Sequence, residues 1–278
     1  MPQEKHEFEL VIEPGRGFTH YWKDLWNYRE LFYFLAWRDI LVRYKQTAIG
    51  IAWSVIRPLL TMIVFTVIFG KIAKLPSGSA PYAIMVFAAM LPWQFFANSL
   101  SESSNSLLVN SNMLTKIYFP RLIMPSSSVI VSLVDFLISF LILIVLMIGY
   151  HFVPTMRIIT LPFFLGLAVI TSLGAGYWLS ALNVKYRDFR YVVPFIVQFG
   201  LYVSPVGFSS NVIPVQWRLL YSLNPMVGVI DGFRWAILRG DYLIYWPGFF
   251  CSCLISVLIF VSGIKYFRKM ERQFADII

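Results

Sequence analysis

The chain has 278 residues, 58% of them hydrophobic and 18% aromatic, with only 13% charged and a mean hydropathy of +0.69. A soluble domain needs more charge to cover its surface, so the composition excludes an ordinary soluble protein and indicates an integral membrane protein. The formal net charge of +9 could suggest nucleic acid, but the placement of the basic residues gives it another meaning.

The first apolar run begins near Ile51, after a polar and charged stretch, which is not the pattern of a cleavable signal peptide. Within that stretch Phe34, Trp37, Leu41 and Tyr44 recur at i, i+3, i+7 and i+10 with Ile40 beside them, while Arg38, Asp39, Arg43 and Lys45 fall elsewhere. The pattern predicts an amphipathic helix in the headgroup layer. It reads either as a membrane anchor or as a basic collar for an anionic substrate, through Trp37, Arg38, Arg43, Tyr44 and Lys45.

A helix that crosses a bilayer needs about 20 mainly apolar residues. Six stretches qualify in chain order: Ile51–Gly70, Tyr82–Leu100, Ser128–Tyr150, Ile158–Leu182, Tyr191–Phe208 and Trp246–Lys265. Even strand-like alternation is absent, against an outer-membrane barrel. Met226–Leu238 is apolar but short and contains Asp231 and Arg234. A charge at mid-membrane costs about 2.5–3.5 kcal/mol, so a re-entrant hairpin between the fifth and sixth spans is expected there, approached through Pro205, Pro214 and Pro225.

With six spans both termini share a side. Of the 23 Lys and Arg, 17 then fall on that side and 6 on the other, so the termini are expected to be cytoplasmic. The basic excess is thereby a matter of topology, and no nucleic-acid partner is expected. The organisation expected is a cytoplasmic N-terminal segment with the interface helix (1–50), an all-α transmembrane domain (51–265) and a cytoplasmic tail (266–278).

Motifs for chemistry are missing. The sequence has no GxxxxGK[ST] phosphate loop, HExxH or GxSxG, and His6, His20 and His151 are scattered. Cys251 and Cys253, two apart in an apolar run, point in divergent directions on a helix and read as packing residues rather than metal ligands. Asp135, a carboxylate deep in a span, reads equally as a proton relay or as a hydrogen-bonding partner of a neighbouring helix. No catalytic residue, resident cofactor or metal site is expected. A membrane-embedded acyltransferase would need a catalytic histidine or paired carboxylates, and none stands out.

Aromatic residues serve the interfacial belt or a pore whose ring faces pack on sugars, for which Trp93, Phe95 and Phe96 after Pro92 are candidates. Two basic loops are more informative. In Leu114–Arg121 (Leu114, Thr115, Lys116, Ile117, Tyr118, Phe119, Pro120, Arg121), Tyr118 and Phe119 are expected to expose aromatic area beside two cations, a combination enriched in protein interfaces. Lys185, Tyr186, Arg187, Asp188, Phe189 and Arg190 repeat that chemistry. Either loop could also be an ordinary basic loop obeying the topology rule.

Several blocks carry a resemblance: WRDILVRYKQTAIGIAWSVIRPLL (Trp37–Leu60), LPWQFFANSL (Leu91–Leu100), LTKIYFPRLIMP (Leu114–Pro125), LNVKYRDFRYVVPF (Leu182–Phe195), LNPMVGVIDGFRWAIL (Leu223–Leu238) and the tail FRKMERQFADII. In their order and over nearly the whole chain, they resemble the permeases of polysaccharide-exporting type-2 ABC transporters, the O-antigen, capsule and teichoic-acid family. The resemblance implies a bacterial inner-membrane homodimer with two separate ATPase subunits, which hold the ATP and Mg, and a lipid-linked polysaccharide as cargo. It also implies a coupling helix at Leu114–Arg121, an interface helix before the first span and a periplasmic gate at Asp231 and Arg234. The nearest alternative is the same architecture exporting a small lipid or drug.

Overall fold

The computed structural model describes residues 18–45, 50–75, 78, 80–186, 188–239, 242–271, 273 and 274. They form helices and connections, with no strand among them. Two helices, α1 (Phe18–Asn27) and α2 (Arg29–Lys45), precede α3 (Gly50–Phe65), which runs into a π-helical segment, Thr66–Ile72. Then follow α4 (Tyr82–Val109), the single turn α5 (Ser111–Leu114), α6 (Ile123–Gly149), α7 (Leu161–Lys185), α8 (Phe189–Val203), the hairpin pair α9 (Val215–Tyr221) and α10 (Pro225–Ile237), and α11 (Trp246–Glu271).

Among the described residues, five helical stretches are long and apolar enough to cross a membrane: Ala52–Ile72, Tyr82–Val109, Ile123–Gly149, Met156–Lys185 and Trp246–Glu271. They correspond to five of the six expected spans. Several are longer than expected because their polar turns at the end that gathers the basic loops, hereafter the basic end, remain helical. The expected fifth span differs. Its helix, α8, has 15 residues, about 22 Å of rise against about 30 Å of hydrocarbon. After Val203 the chain breaks out of helix through residues 204–209. Met226–Leu238, expected in a hairpin, lies in α10, which starts at a capped Asn-Pro step: Asn224 Oδ1 accepts from Met226 N at 3.1 Å.

The central element is α4, with 83% of its most apolar window buried against 17% for α3. It packs on α6, α7, α8 and α10. Its serine-rich last turns stay helical inside the protein, where three of the hydroxyls find carbonyls. Ser104 donates to Ser101 O and Ser106 to Ser103 O, both at 2.8 Å, and Ser103 crosses to Pro125 O at 2.9 Å. Where α7 meets α11, two glycines replace side-chain packing by backbone contact. A Cβ on Gly263 would lie 2.4 Å from the Gly174 carbonyl oxygen, and one on Gly174 would lie 2.6 Å from the Phe260 backbone. Thr171 and Ser256 (2.9 Å), Trp178 and Ser262 (3.1 Å), and the Trp178–Tyr266 stack (4.1 Å) lock the same seam, in the way small residues join membrane helices.

A second apolar cluster closes the basic end. Leu35 of α2, Leu107, Leu114, Phe119, Leu122, Tyr177, Phe267, Met270 and Phe274 share it. The helix of the expected last span thus continues beyond Lys265 into this cluster, and the tail is packed into the body as far as Phe274.

Gly263→Leu removes the close α7–α11 approach. The expected result is a misassembled protein that elutes as aggregate in detergent, whereas Gly149→Leu, where a Cβ meets nothing within 4 Å, elutes as the parent does.

Candidate functional site

The helical turn α5 ends at Leu114, and its hydrogen bonds continue only as far as Ile117 N to Met113 O (3.1 Å). The structure therefore differs from a helix over Leu114–Arg121. Pro120 lacks an N–H and turns its predecessor away from the helical region. Leu114, Phe119 and Pro120 are buried and act as posts. Between them Thr115, Lys116, Ile117 and Tyr118 project, with Ile117 56% and Tyr118 66% exposed. The expectation that Phe119 exposes its ring is corrected. It is 3% exposed, within the basic-end cluster, because the turn before Pro120 rolls it inward as a wedge beside Leu122.

Arg121 is turned back onto the chain. Its Nη1 donates to Glu271 O at 2.6 Å, its backbone N donates to Glu271 Oε1 at 2.9 Å, and its guanidinium lies 5.8 Å from the Phe274 ring centroid. The end of α11 thus braces the projecting tip. In the second loop Lys185 Nζ lies 5.1 Å from the Tyr186 centroid, while Tyr186, Asp188 and Arg190 are exposed. Arg187 falls outside the described residues.

The expected stripe on α2 splits. Phe34, Trp37 and Leu41 face outward with Lys45, whereas Ile40, Arg43 and Tyr44 are half-buried against the bundle. Arg43 Nη2 stands 2.7 Å from Asp135 Oδ2, and its Nη1 donates to Glu102 at 3.3 Å. The Tyr44 hydroxyl donates to Asp135 Oδ1. Burial, then the Asp135 carboxylate, pushes the Tyr44 phenol well above its ordinary range, so it remains a neutral donor. Arg38 Nη2 donates to Asn110 Oδ1 at 2.8 Å as well as to Asp39. Both Asp135 oxygens face α2, which matches the structural alternative for this residue. One link reaches the projecting tip: the Tyr28 hydroxyl donates to Tyr118 O at 3.4 Å.

Of the three ring candidates on α4, Phe95 is 1% exposed, edge-on to Phe136 in the core, and has no open face. Trp93 is buried against α8, where a Cβ on Gly200 would lie 2.6 Å from its ring. Phe96 is half-buried and tilted on Trp93 at 5.6 Å. The sequence reading missed a more informative feature. Between Ala83 and Leu107 every residue of α4 is buried except Gln94, Phe96, Asn98, Ser101, Glu102 and Asn105. Apart from Phe96 these are polar, and Gln94, Asn98, Ser101 and Asn105 follow i, i+4, i+7 and i+11, one face of a helix. Gln94 and Asn98 make no side-chain hydrogen bond among the described residues. The signal was the helical periodicity of amides within an apolar run. Facing away from the bundle, α8 carries a second row, Tyr191, Phe195, Phe199 and Tyr202, all more than half exposed, with Phe195 and Phe199 stacked at 5.8 Å.

Arg234 and Asp231 sit in the hairpin. Arg234 is fully buried and directs its guanidinium at backbone: Nη1 donates to Phe208 O at 2.7 Å, Nη2 to Val206 O at 2.8 Å and Nε to Met85 O at 3.4 Å. The Tyr82 hydroxyl donates to Gly207 O, and that of Tyr221 donates to Val203 O at 2.7 Å. Asp231, one turn before Arg234, is half-buried. Arg234, Tyr82 and Tyr221 together satisfy the carbonyls freed where α8 breaks. Among the described residues no group of three His, Cys, Asp or Glu could hold a metal.

The arrangement is a helical membrane bundle with an exposed, projecting tip, a polar row along its central helix and a buried arginine pinning the break after α8. Residues 30–238 match the family described as ABC-2 type transporter. The chain belongs to that family. It is 26% identical over 258 residues to the O-antigen export system permease protein RfbA of Myxococcus xanthus, covering 92% of this chain and 98% of that one. It is 27% identical over 248 residues to the Klebsiella pneumoniae protein of the same name, covering 87% and 92%. To the polysialic acid transport protein KpsM of Escherichia coli it is 23% identical over 240 residues, covering 84% and 91%. The chain is thus an ABC-2 permease by family.

Arg234→Met leaves buried carbonyls without donors, each worth about 1–3 kcal/mol. The expected outcome is a clear fall in detergent unfolding temperature, with protease cleavage appearing first in 204–214.

Proposed function

We propose that this permease exports a lipid-linked polysaccharide from the cytoplasm, as one half of a homodimer driven by two separate ATPase subunits that hold ATP and Mg. The observation that carries the reading is the open face of α4. Lipid against that face would leave the Gln94 and Asn98 amides without partners, at several kcal/mol for each group. Amides and a serine hydroxyl in a row can exchange hydrogen bonds with successive sugar hydroxyls or with water. The uncovered rings of α8 suit the apolar faces of sugars, and the names of the relatives point to the same class of cargo.

In this reading the hydrated path runs along α4 and is completed by the second copy. The chain has six passages, with α8 and its broken continuation forming the fifth and α9–α10 a re-entrant hairpin facing the periplasm. Asp231 and Arg234 hold the fixed side of the gate there. Both termini are cytoplasmic in the bacterial inner membrane. Residues 1–50 contribute the interface helix, 51–265 the transmembrane domain and 266–278 the tail that supports the coupling segment. The Thr115–Tyr118 tip enters the ATPase subunit, and the second loop, including Tyr186, Asp188 and Arg190, flanks it. Hydrolysis in the partner displaces the tip, and α2 carries the movement to Asp135 through Arg43 and Tyr44.

Two substitutions test the parts separately. Asn98→Leu is expected to lower surface glycan at least several-fold while the membrane level of the protein stays normal. Unchanged glycan would remove α4 from the path. Tyr118→Ala is expected to leave the unfolding temperature within the range of surface substitutions, about ±0.5 kcal/mol, and to lower export. Phe119→Ala should instead cost about 3–5 kcal/mol of stability. Full export by Tyr118→Ala would remove the tip from docking.

A further inference from the structure

At the end opposite the basic one, cations still outnumber carboxylates. Lys71, Lys74, Arg157, Arg218, Arg234 and Arg239 fall there, and the acidic residues of the same stretches, 71–82, 150–161 and 204–246, are Asp231 and Asp241. Arg234 is turned onto backbone, and Asp231 lies within electrostatic reach of it and of Arg218. Asp241 falls outside the described residues, and one carboxylate cannot neutralise Arg157 and Arg239 together.

These two arginines close one seam from opposite sides. Arg239 Nε donates to Val153 O at 2.8 Å, with its guanidinium 5.4 Å from the Phe152 ring centroid. Arg157, from the same connection between α6 and α7, lies over Trp235 of α10 at 4.9 Å. Both arginines are exposed, and a guanidinium laid on a ring keeps an N–H edge for a phosphate. Tyr150 at the end of α6 and Trp246 at the start of α11, each 52% exposed, mark the headgroup level at this end.

Towards the membrane interior an apolar groove of about 400 Å³ runs between Phe140, Ile144, Met147 and Ile148 of α6 and the Phe152 and Ile158 that follow. His151 also lines it. That residue closes α6 in the left-handed region, at φ 52°, where Phe152 N donates to Met147 O (2.8 Å) and His151 N to Ile148 O (3.0 Å). Such a helix ending ordinarily takes glycine, because a side chain is strained there. Here it takes a histidine beside the groove.

We infer that this seam binds one anionic phospholipid, with an acyl chain in the groove and its phosphate at Arg239 and Arg157 beside His151. One ligand matches both chain and charge: a neutral lipid suits the groove alone, and a free phosphate suits the arginines alone. The site is separate from the cargo path, and its lipid fastens the α6–α7 connection to α10.

The purified full-length chain is placed in phosphatidylcholine nanodiscs with and without phosphatidylglycerol. Its unfolding temperature is measured, and retained lipid is counted by native mass spectrometry. Phosphatidylglycerol is expected to raise the unfolding temperature of the parent and to be retained in preference to phosphatidylcholine. Arg239→Gln is expected to weaken that retention about tenfold, and Arg157→Gln to weaken it as well. Lys71→Gln, at the same end but outside the groove lining, is expected to leave it unchanged. If Arg239→Gln lowers the unfolding temperature in phosphatidylcholine alone and leaves the lipid preference intact, Arg239 is only a structural tie and the assignment is overturned. An equal loss with Lys71→Gln would overturn it in favour of general surface charge. No preference in the parent, as when a second copy covers the groove, would overturn it too.

Discussion

A buried backbone that leaves its helix must find hydrogen-bond donors within the protein, and the architecture beyond α8 depends on that constraint. Arg234 from α10, Tyr82 from α4 and Tyr221 from α9 donate to carbonyls of Val203, Val206, Gly207 and Phe208. The break is stable because three helices converge on it, and they converge because it offers acceptors. A short α8, the α9–α10 pair that follows it and a buried arginine in an apolar helix are therefore one feature. The low dielectric that makes an unpaired carbonyl costly also makes each of these bonds strong.

The basic end is built differently. A compact apolar cluster holds Phe119 and Leu114 as posts and leaves Thr115–Tyr118 projecting, while Arg121 ties the base of the projection to Glu271 and Phe274. A tip fixed at its base can transmit force, because displacement of its exposed residues must move the cluster. The α2 helix joins this cluster through Leu35 and reaches Asp135 through Arg43 and Tyr44. It thus links the basic end mechanically to α6.

Much of this was legible in the sequence. Twenty-residue apolar runs fix five helices because bilayer thickness leaves no alternative, and the charges in Met226–Leu238 kept that helix from being taken as a span. Less legible was whether a residue in a polar loop faces in or out. Tyr118 and Phe119 are adjacent and chemically alike, yet Pro120 and the neighbouring apolar cluster bury only the second. The partners of Asp135 and Arg234 lie far away in the chain, so only the folded packing reveals them. The polar face of α4 was present as a spacing of amides, but its meaning required knowing that every other face of that helix is covered.

The central claim is that this chain moves a finished glycan across the membrane, and the location of that glycan tests it most directly. Cells lacking the gene, with and without complementation, are fractionated, and internal and surface polysaccharide are compared by antibody labelling. The account predicts glycan accumulating inside and missing from the surface, restored by complementation. Normal surface glycan would contradict it and leave the same architecture as an exporter of a small lipid or drug.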